Sequence, residues 1–419
     1  MDGARGNGSV ESVRLKYLLG APHEGQDLDP DSLVPFAPME AIGETGQLDL
    51  SEKRPVEAVV SGYTKFHGGD VLVAKITPCF ENGKGAVVPE LEGGIAFGTT
   101  ELHVLTPGPG IDGRYLYYVT MSDVFRRLGE AEMTGAAGQK RVPEDFVKNF
   151  RLTTPQLEEQ RLIAAYLDRE TASIDRLISE KESLLKLLEQ KHAAIVTQVL
   201  LEGLDARVPM KASGQQWLGD VPAHWGLRRA KWLFRERDER SVGGDEELLT
   251  VSHITGVSPR SEKEVNMFLA EDMAGYKMCY PGDLVVNTLW AWMGAMGVSS
   301  RFGIVSPSYH IYTPAKQLSS DYIDPLCRSK PFVAEVTRHS RGVWSSRLRL
   351  YPEEFFGIIF PVPPAPKQAA MVASVSEERR RSQVLGDSVS RSIGLLKARR
   401  QALISDAVTG RIPGASFNS

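Results

Sequence analysis

The feature that most constrains this chain is that it repeats itself. Its second half follows the first at a separation of about 210 residues, so the fold must hold two copies of one frame. Lys16-Tyr17-Leu18 matches Lys231-Trp232-Leu233, and Tyr63 with Gly69-Asp70 matches Tyr276 with Gly282-Asp283. Each Gly-Asp pair precedes a short apolar run, the pattern of a turn closing onto a buried strand. HVLTP at 103–107 then matches HIYTP at 310–314, and PEDF at 143–146 matches PEEF at 352–355, in unchanged order. Both copies reach a proline-marked boundary, TTPQLEEQ at 153–160 and PVPPAPKQ at 361–368, followed by a long proline-free stretch that reads as a helix.

Each of those stretches carries an apolar stripe at heptad spacing. In the first, Ile163, Leu177 and Leu184 fall on one set of sevens and Leu167, Ile174, Leu188 and Ile195 on another. In the second, Val375, Val389, Leu396 and Leu403 share one set and Val372, Ile393 and Ala407 the other, with Gly386 and Gly394 tolerated at about 1 kcal/mol each against alanine. Two such stripes in one chain are expected to pair as antiparallel helices. The Pro- and Gly-rich segment 204–226 between the copies is too short for a domain and reads as a strap running back along the helices.

With 419 residues, 42% of them hydrophobic and 24% charged, the chain is long enough for two or three folded domains. No apolar run is long enough to span a bilayer and the N-terminal stretch lacks the apolar core of a signal peptide, so the expectation is a cytoplasmic protein with no membrane partner. Cys79, Cys279 and Cys327 are far apart and make no CxxC pair, which argues for reduced, mostly buried thiols. A net charge of −4 excludes a general polycation, so nucleic-acid binding must come from local patches such as 326–350, with Arg328, Lys330, Arg338, Arg341, Arg347 and Arg349.

Catalytic signatures are missing: there is no GxxxxGK[ST] loop, HExxH, GxSxG or [DNS]PP[YFW] tetrapeptide. GPGIDG at 108–113 fits GxGxxG in form, but Pro109 removes a backbone N–H that a phosphate cradle needs, and the other copy has no glycine there; it reads as a turn. Asp70 and Lys75 lack the further acidic residue of a nuclease site, since position 73 is valine, and Asp70 and Asp283 read as turn residues. The histidines form no i, i+4 pair, and His103 and His310 read as strand histidines, so no metal site is expected.

The segments after the Gly-Asp turns diverge where the frame does not. Residues 69–88 leave their strand into a loop with Lys75, Thr77, Asn82 and Lys84, side chains suited to phosphates and base edges; 282–300 offers Asn287, Trp290 and Trp292 instead. Unlike loops on a repeated frame suggest two different ligands of one class.

The strings LVAKITPCFENGKG at 72–85, TTPQLEEQRLIAAYLD at 153–168, GQQWLGDVPAHW at 214–225, WAWMGAMGVSS at 290–300, SRLRLYPEEF at 346–355 and RRQALISDAVTGRI at 399–412 carry a resemblance. Over essentially its whole length the chain resembles the specificity (S) subunit of type I restriction-modification systems. The resemblance implies an α+β fold: two mixed α/β target recognition domains in pseudo-twofold repeat, at 1–155 and 227–363, joined by two long antiparallel helices forming a coiled coil, at 156–203 and 364–412, with a linker at 204–226 and a tail at 413–419. It implies a non-catalytic subunit in which each domain reads one half of a bipartite double-stranded DNA target, while the helices set half-site spacing and dock two modification methyltransferase subunits.

S-adenosylmethionine would then belong to the modification subunits, and ATP and magnesium to restriction subunits where these are present, leaving no cofactor for this chain. A stand-alone DNA-modifying or DNA-cleaving enzyme and a purely protein-binding coiled-coil adaptor are the rival readings. DNA-contact candidates, chosen on side-chain chemistry, are Lys75, Thr77, Asn82, Lys84, Lys140 and Arg141 in the first domain, and Asn287, Trp290, Trp292, Arg301, His310, Arg341, Ser345 and Arg347 in the second. The helix-interface candidates are Ile163, Leu167, Ile174, Leu177, Leu184, Leu188, Ile195, Val372, Val375, Val389, Ile393, Leu396 and Leu403.

Overall fold

A computed structural model describes residues 12–23, 28–136, 138–263, 272–342, 348–412 and Phe417. The chain divides into two compact units, Met1–Ser183 with Ser390–Ser419, and Leu184–Val389. Each unit includes part of both long helices, Leu157–Glu202 of 46 residues and Ala365–Val408 of 44 residues.

In the first unit, strand Val13–Arg14 pairs with Arg151–Leu152 and ties the start of the globular part to its end. After Gly69, whose φ of 86° requires a residue without Cβ, the fully buried strand Val71–Ala74 runs between Gly85–Val87 and Leu102–Leu105, antiparallel to both. A second sheet orders Lys53–Pro55, Leu33–Ala37, Ile95–Gly98 and Thr64–His67. Helices Gly113–Met121 and Asp123–Ala131 start at Asp112 and Ser122, whose side chains accept backbone N–H groups of the first turn. GPGIDG is thus the turn that caps a helix. The core gathers Leu15, Phe80, Tyr115, Leu116 and Phe125 with Ile163, Ala164 and Leu167 of the first long helix and Ile404 and Ala407 of the second.

The second unit repeats the central part of this frame, while its other strands pair differently: Phe234–Arg237 joins the central sheet, and Leu249–Ser252 with Gly256–Pro259 and Lys277–Cys279 with Gly303–Val305 form separate pairs. Gly226–Arg229 pairs with Ile359–Val362, and Leu284–Asn287, again after a Gly-Asp turn, lies between Met296–Val298 and Tyr309–Pro314. Ser320–Cys327 and Lys330–His339 take the places of the two capped helices. At both starts a single-turn helix ends in an exposed aromatic, Tyr17 or Trp232, with the preceding lysine ammonium over its ring.

Matched polar locks hold the copies together internally. Asp70 and Asp283 accept the hydroxyls of Thr106 and Thr313 at 2.7 and 2.8 Å. Near the start of each long helix, Gln160 accepts from the Asp112 N–H and donates to the carbonyls of Gly110 and Pro155; Gln368 accepts from the Ser319 N–H and donates to those of Gln317 and Pro363.

The 204–226 segment, expected as a strap along the helices, forms a hairpin in the second unit whose core it shares with Leu200 and Leu201 of the first long helix and Met371 of the second. Met210–Ala212 pairs with Asp220–Pro222, and Trp217 and Trp225 are buried, Trp217 edge-on to Phe332 at 5.2 Å. Two indoles left in water would forgo about 2–3 kcal/mol each of apolar burial, which outweighs keeping the segment extended.

Within the first unit the long helices run antiparallel, with Lys397 near Glu182, the Arg400 guanidinium 2.8 Å from Asp175, and Ile404 beside the Ile163–Leu167 turn. Ile163, Leu167, Ile174, Val389 and Ile393 are buried; Leu188, Ile195, Val372, Val375, Leu396 and Leu403 are half-buried. Leu177 and Leu184 depart from the expected seam: each is 41% exposed, and Ile178 takes the inward position instead. A straight helix advances 3.6 residues per turn, so a strict seven-residue count drifts about 20° per heptad off the buried face. The free thiols of Cys279 and Cys327 are buried and that of Cys79 is half-buried; burial pushes Cys279 up to about 12. Among the described residues, no helix is long and apolar enough to cross a membrane.

Candidate nucleic-acid interface

Lys75 is the residue after the buried strand Val71–Ala74. Its N–H donates to the Glu101 carbonyl at 3.0 Å and its own carbonyl accepts from Val142 N–H at 2.8 Å, so its backbone is pinned from both sides. It lines a cleft of about 730 Å³ with Lys16, Lys65, Arg141 and Lys148, against the carboxylates of Asp70 and Glu144. Five cations against two acids make the cleft basic in a chain that is acidic overall. That local excess is what phosphate attraction requires.

The cations differ in how much of their charge is committed. The Arg141 fork donates to both oxygens of Glu101, at 2.8 and 2.7 Å, and this holds the Glu101 carboxyl below the usual carboxylate range. Lys148 pairs with Glu144 at 2.8 Å. Burial keeps His67 and His103 below the ordinary imidazole value, His67 further so because His23 stands beside it, while His103 Nε2 lies 2.9 Å from the Val142 carbonyl.

The other first-domain candidates are placed elsewhere. Lys84 is tied down, its ammonium donating to the Met39 carbonyl at 2.9 Å. Thr77 and exposed Lys140 are joined to each other, the Lys140 carbonyl accepting from the Thr77 N–H and hydroxyl. Asn82 lines a different cleft, of about 720 Å³, with Arg126, Asp175 and Arg400.

In the second unit a groove of about 420 Å³ is lined by Asn287, Trp290, Tyr309, Ser306, Ser308, Thr250, His253 and Lys263, among others. Trp290 is 51% exposed, an aromatic face open to a partner. Asn287 is buried: its amide donates to Tyr309 Oη at 3.1 Å and its carbonyl oxygen accepts from Leu289 N–H. It therefore sets the groove wall and the Tyr309 hydroxyl rather than presenting a free amide. Trp292 donates its indole N–H to the Leu289 carbonyl at 3.0 Å.

His310 is engaged with Glu236 at 2.6 Å, Arg301 lies 3.7 Å from Glu247, and Arg341 pairs with Glu354. None of these three lines the groove. Ser345 and Arg347 lie outside the described residues. The residues missed on the sequence are Lys16, Lys65, Lys148, Tyr309 and Lys263. Tyr309 had a signal, since it stands directly opposite Asn287 in the antiparallel register just before the HIYTP match.

No protein-family model matches the chain. It is 40% identical over 176 residues to the type I restriction enzyme EcoAI specificity subunit of Escherichia coli, covering 41% of this chain and 29% of that protein. It is 37% identical over 182 residues to the EcoEI specificity subunit of the same organism, covering 43% and 30%. The match thus spans less than a third of either relative's length.

Among solved structures, a chain from a study of complex assembly and conformational transition of the type I R-M system superposes with a TM-score of 0.73 at 17% identity, covering 96% of this chain and 98% of that one. The HsdS subunit from Thermoanaerobacter tengcongensis superposes at 0.54 with 18% identity, covering 96% and 97%. Over about two fifths of its length the chain is similar in sequence to two type I restriction enzyme specificity subunits, and over nearly all of its length it shares the fold of the HsdS subunit from Thermoanaerobacter tengcongensis.

Proposed function

We propose that the chain is the non-catalytic DNA-recognition subunit of a type I restriction-modification complex, each unit reading one half of a bipartite double-stranded target. The observation that carries this reading is the contrast between two matched frames: the strands after the two Gly-Asp turns lead to a lysine-lined cleft in one copy and, in the other, to a groove where Arg260 and Lys263 stand beside the aromatic and hydroxyl groups of Trp290, Tyr309, Ser306 and Ser308. The lysines suit phosphate contacts, which give affinity without sequence information; Trp290, Tyr309 and the serines suit base and sugar contacts, which discriminate. In this reading the long helices set the gap between half-sites and dock two modification methyltransferase subunits. Those subunits carry S-adenosylmethionine, restriction subunits where present carry ATP and magnesium, and the complex works in the cytoplasm.

The test is to co-express the chain with the modification subunits of its own system and sequence the host DNA for methylated bases. A bipartite, asymmetric motif with a fixed gap is expected, and the chain without those subunits should methylate nothing. Inserting about four residues, one helical turn, near Leu188 should lengthen the gap. Methylation by the chain alone would replace this reading with the enzyme one, and an unchanged gap would remove the helices as spacer.

A further inference from the structure

Three side chains in the first unit converge in a way that the second unit does not repeat. Asp70 is 1% exposed, a carboxylate taken almost wholly out of water. Its Oδ2 accepts the His67 backbone N–H at 2.7 Å and its Oδ1 accepts the Thr106 hydroxyl at 2.7 Å. The groups facing its remaining lone pairs are imidazoles: His23 Nε2 lies 3.5 Å from Oδ1 and His67 Nδ1 lies 4.0 Å from Oδ2. The two rings are themselves 4.1 Å apart, centroid to centroid, and 33° from parallel.

The second unit shows what the same position otherwise demands. Asp283, 2% exposed, receives the matching threonine hydroxyl and a backbone N–H from Tyr280. It also receives a permanent cation: Arg237 Nε donates to it at 2.8 Å, and Arg237 Nη2 reaches both it and Thr313. Burying a carboxylate carries a desolvation penalty that a paired cation offsets, and in the second unit Arg237 is that cation. Arg237 comes from the segment just after Lys231-Trp232-Leu233, and His23 from the segment just after Lys16-Tyr17-Leu18. Where one copy supplies a fixed cation, the other supplies two metal-ligating nitrogens.

We propose that His23, His67 and Asp70 bind a divalent transition-metal ion of the zinc class, which replaces in the first unit the charge that Arg237 supplies in the second. The donor atoms all lie within 4.8 Å of one another. Tetrahedral zinc with bonds of 2.0–2.1 Å needs donors about 3.3 Å apart, so modest closure of the half-exposed His23 completes the site. Two imidazoles and one carboxylate are a zinc donor set and a poor magnesium one, since magnesium prefers oxygen ligands. Lys16 and Lys65 on the same cleft oppose any divalent cation, so affinity has to come from the bonds to the two imidazoles and the carboxylate. With three protein ligands the fourth position is left to solvent. The ion fastens the segment after the first single-turn helix to the Gly-Asp turn.

The proposal is independent of what the cleft binds, so the test uses the purified full chain without DNA. Zinc is titrated against a fluorescent chelator, cobalt(II) absorption reports tetrahedral geometry, and thermal midpoints are taken with zinc and with EDTA. The wild-type chain should take up about one equivalent more than His23→Arg. Its midpoint should rise with zinc and fall with EDTA. His23→Arg, altering a side chain that is 41% exposed, should fold, bind no metal here and be indifferent to both additions. His23→Ala should lose the equivalent and become less stable than the loaded wild type. Equal uptake by wild type and His23→Ala overturns the site. So does a wild-type midpoint that ignores both zinc and EDTA.

Discussion

At the scale of the residue, what matters is whether a charged or polar group is already engaged. Lys75 and Lys84 lie in one loop segment and look equivalent on paper, yet Lys84 donates to Met39 across the fold while Lys75 lines the basic cleft. Lys84→Ala is therefore expected to cost about 1 kcal/mol of stability in urea denaturation and to leave DNA affinity of the assembled complex near wild type. Lys75→Ala should do the reverse, weakening DNA binding with a shallower salt dependence. If both lysines act alike, the cleft is not the interface.

His103 carries a second prediction at this scale. Burial lowers its folded pKa below the ordinary 6.5, so the unfolded chain binds more protons in the window between the two values. Its contribution to stability is full above the ordinary value and is lost as pH falls through the folded one. Unfolding midpoints should decline on acidification from about pH 7 to about pH 5, and His103→Gln should flatten part of that slope. An unchanged slope would mean that the ring is not held neutral. Nothing in the sequence separates these engaged side chains from free ones, because their partners, Met39, Glu101, Glu236 and Val142, come from distant segments brought close only by folding.

At the scale of the element, much was readable because local rules and tertiary packing agree. Gly69-Asp70 and Gly282-Asp283 announce their strands through turn chemistry, and prolines mark where both long helices begin. Two things escaped. The 204–226 hairpin is specified by tryptophans whose burial depends on Phe332 and Phe360, far along the chain, and the inward row of the first long helix passes through Ile178 rather than Leu177 because of the 3.6-residue turn. The second long helix still carries an avoidable weakness. A Cβ at Gly386 or Gly394 would meet no atom within 4 Å, and neither glycine has positive φ. Gly386→Ala and Gly394→Ala should each stabilise the chain by about 0.5–1 kcal/mol in thermal or urea unfolding. Gly129→Ala is the contrast, since its Cβ would stand 2.4 Å from Phe80 Cζ and must destabilise. A loss at Gly386 or Gly394 would mean that the helix needs its glycines for something other than length.

At the scale of the whole molecule, duplication makes the division of labour testable. What the copies share is what builds a frame: paired termini, a Gly-Asp turn with its threonine lock, three antiparallel strands, two helices and a glutamine clasp at the start of a long helix. What they do not share is the lining of their clefts. If the frame served only internal packing, the linings would have no reason to differ in so consistent a setting. If each lining reads its own ligand, one can be exchanged without disturbing the other. Replacing residues 227–360 with the equivalent segment of a related subunit, in cells that carry the modification subunits, should therefore change one half of the methylated motif and leave the other half intact. Gln368 holds Ser319 and Gln317, and Trp217 packs on Phe332 and Phe360, so the incoming segment must supply equivalent partners to seat on the retained hairpin and helix. A change in both halves would show the units reading jointly, and a change in neither would move recognition away from both clefts.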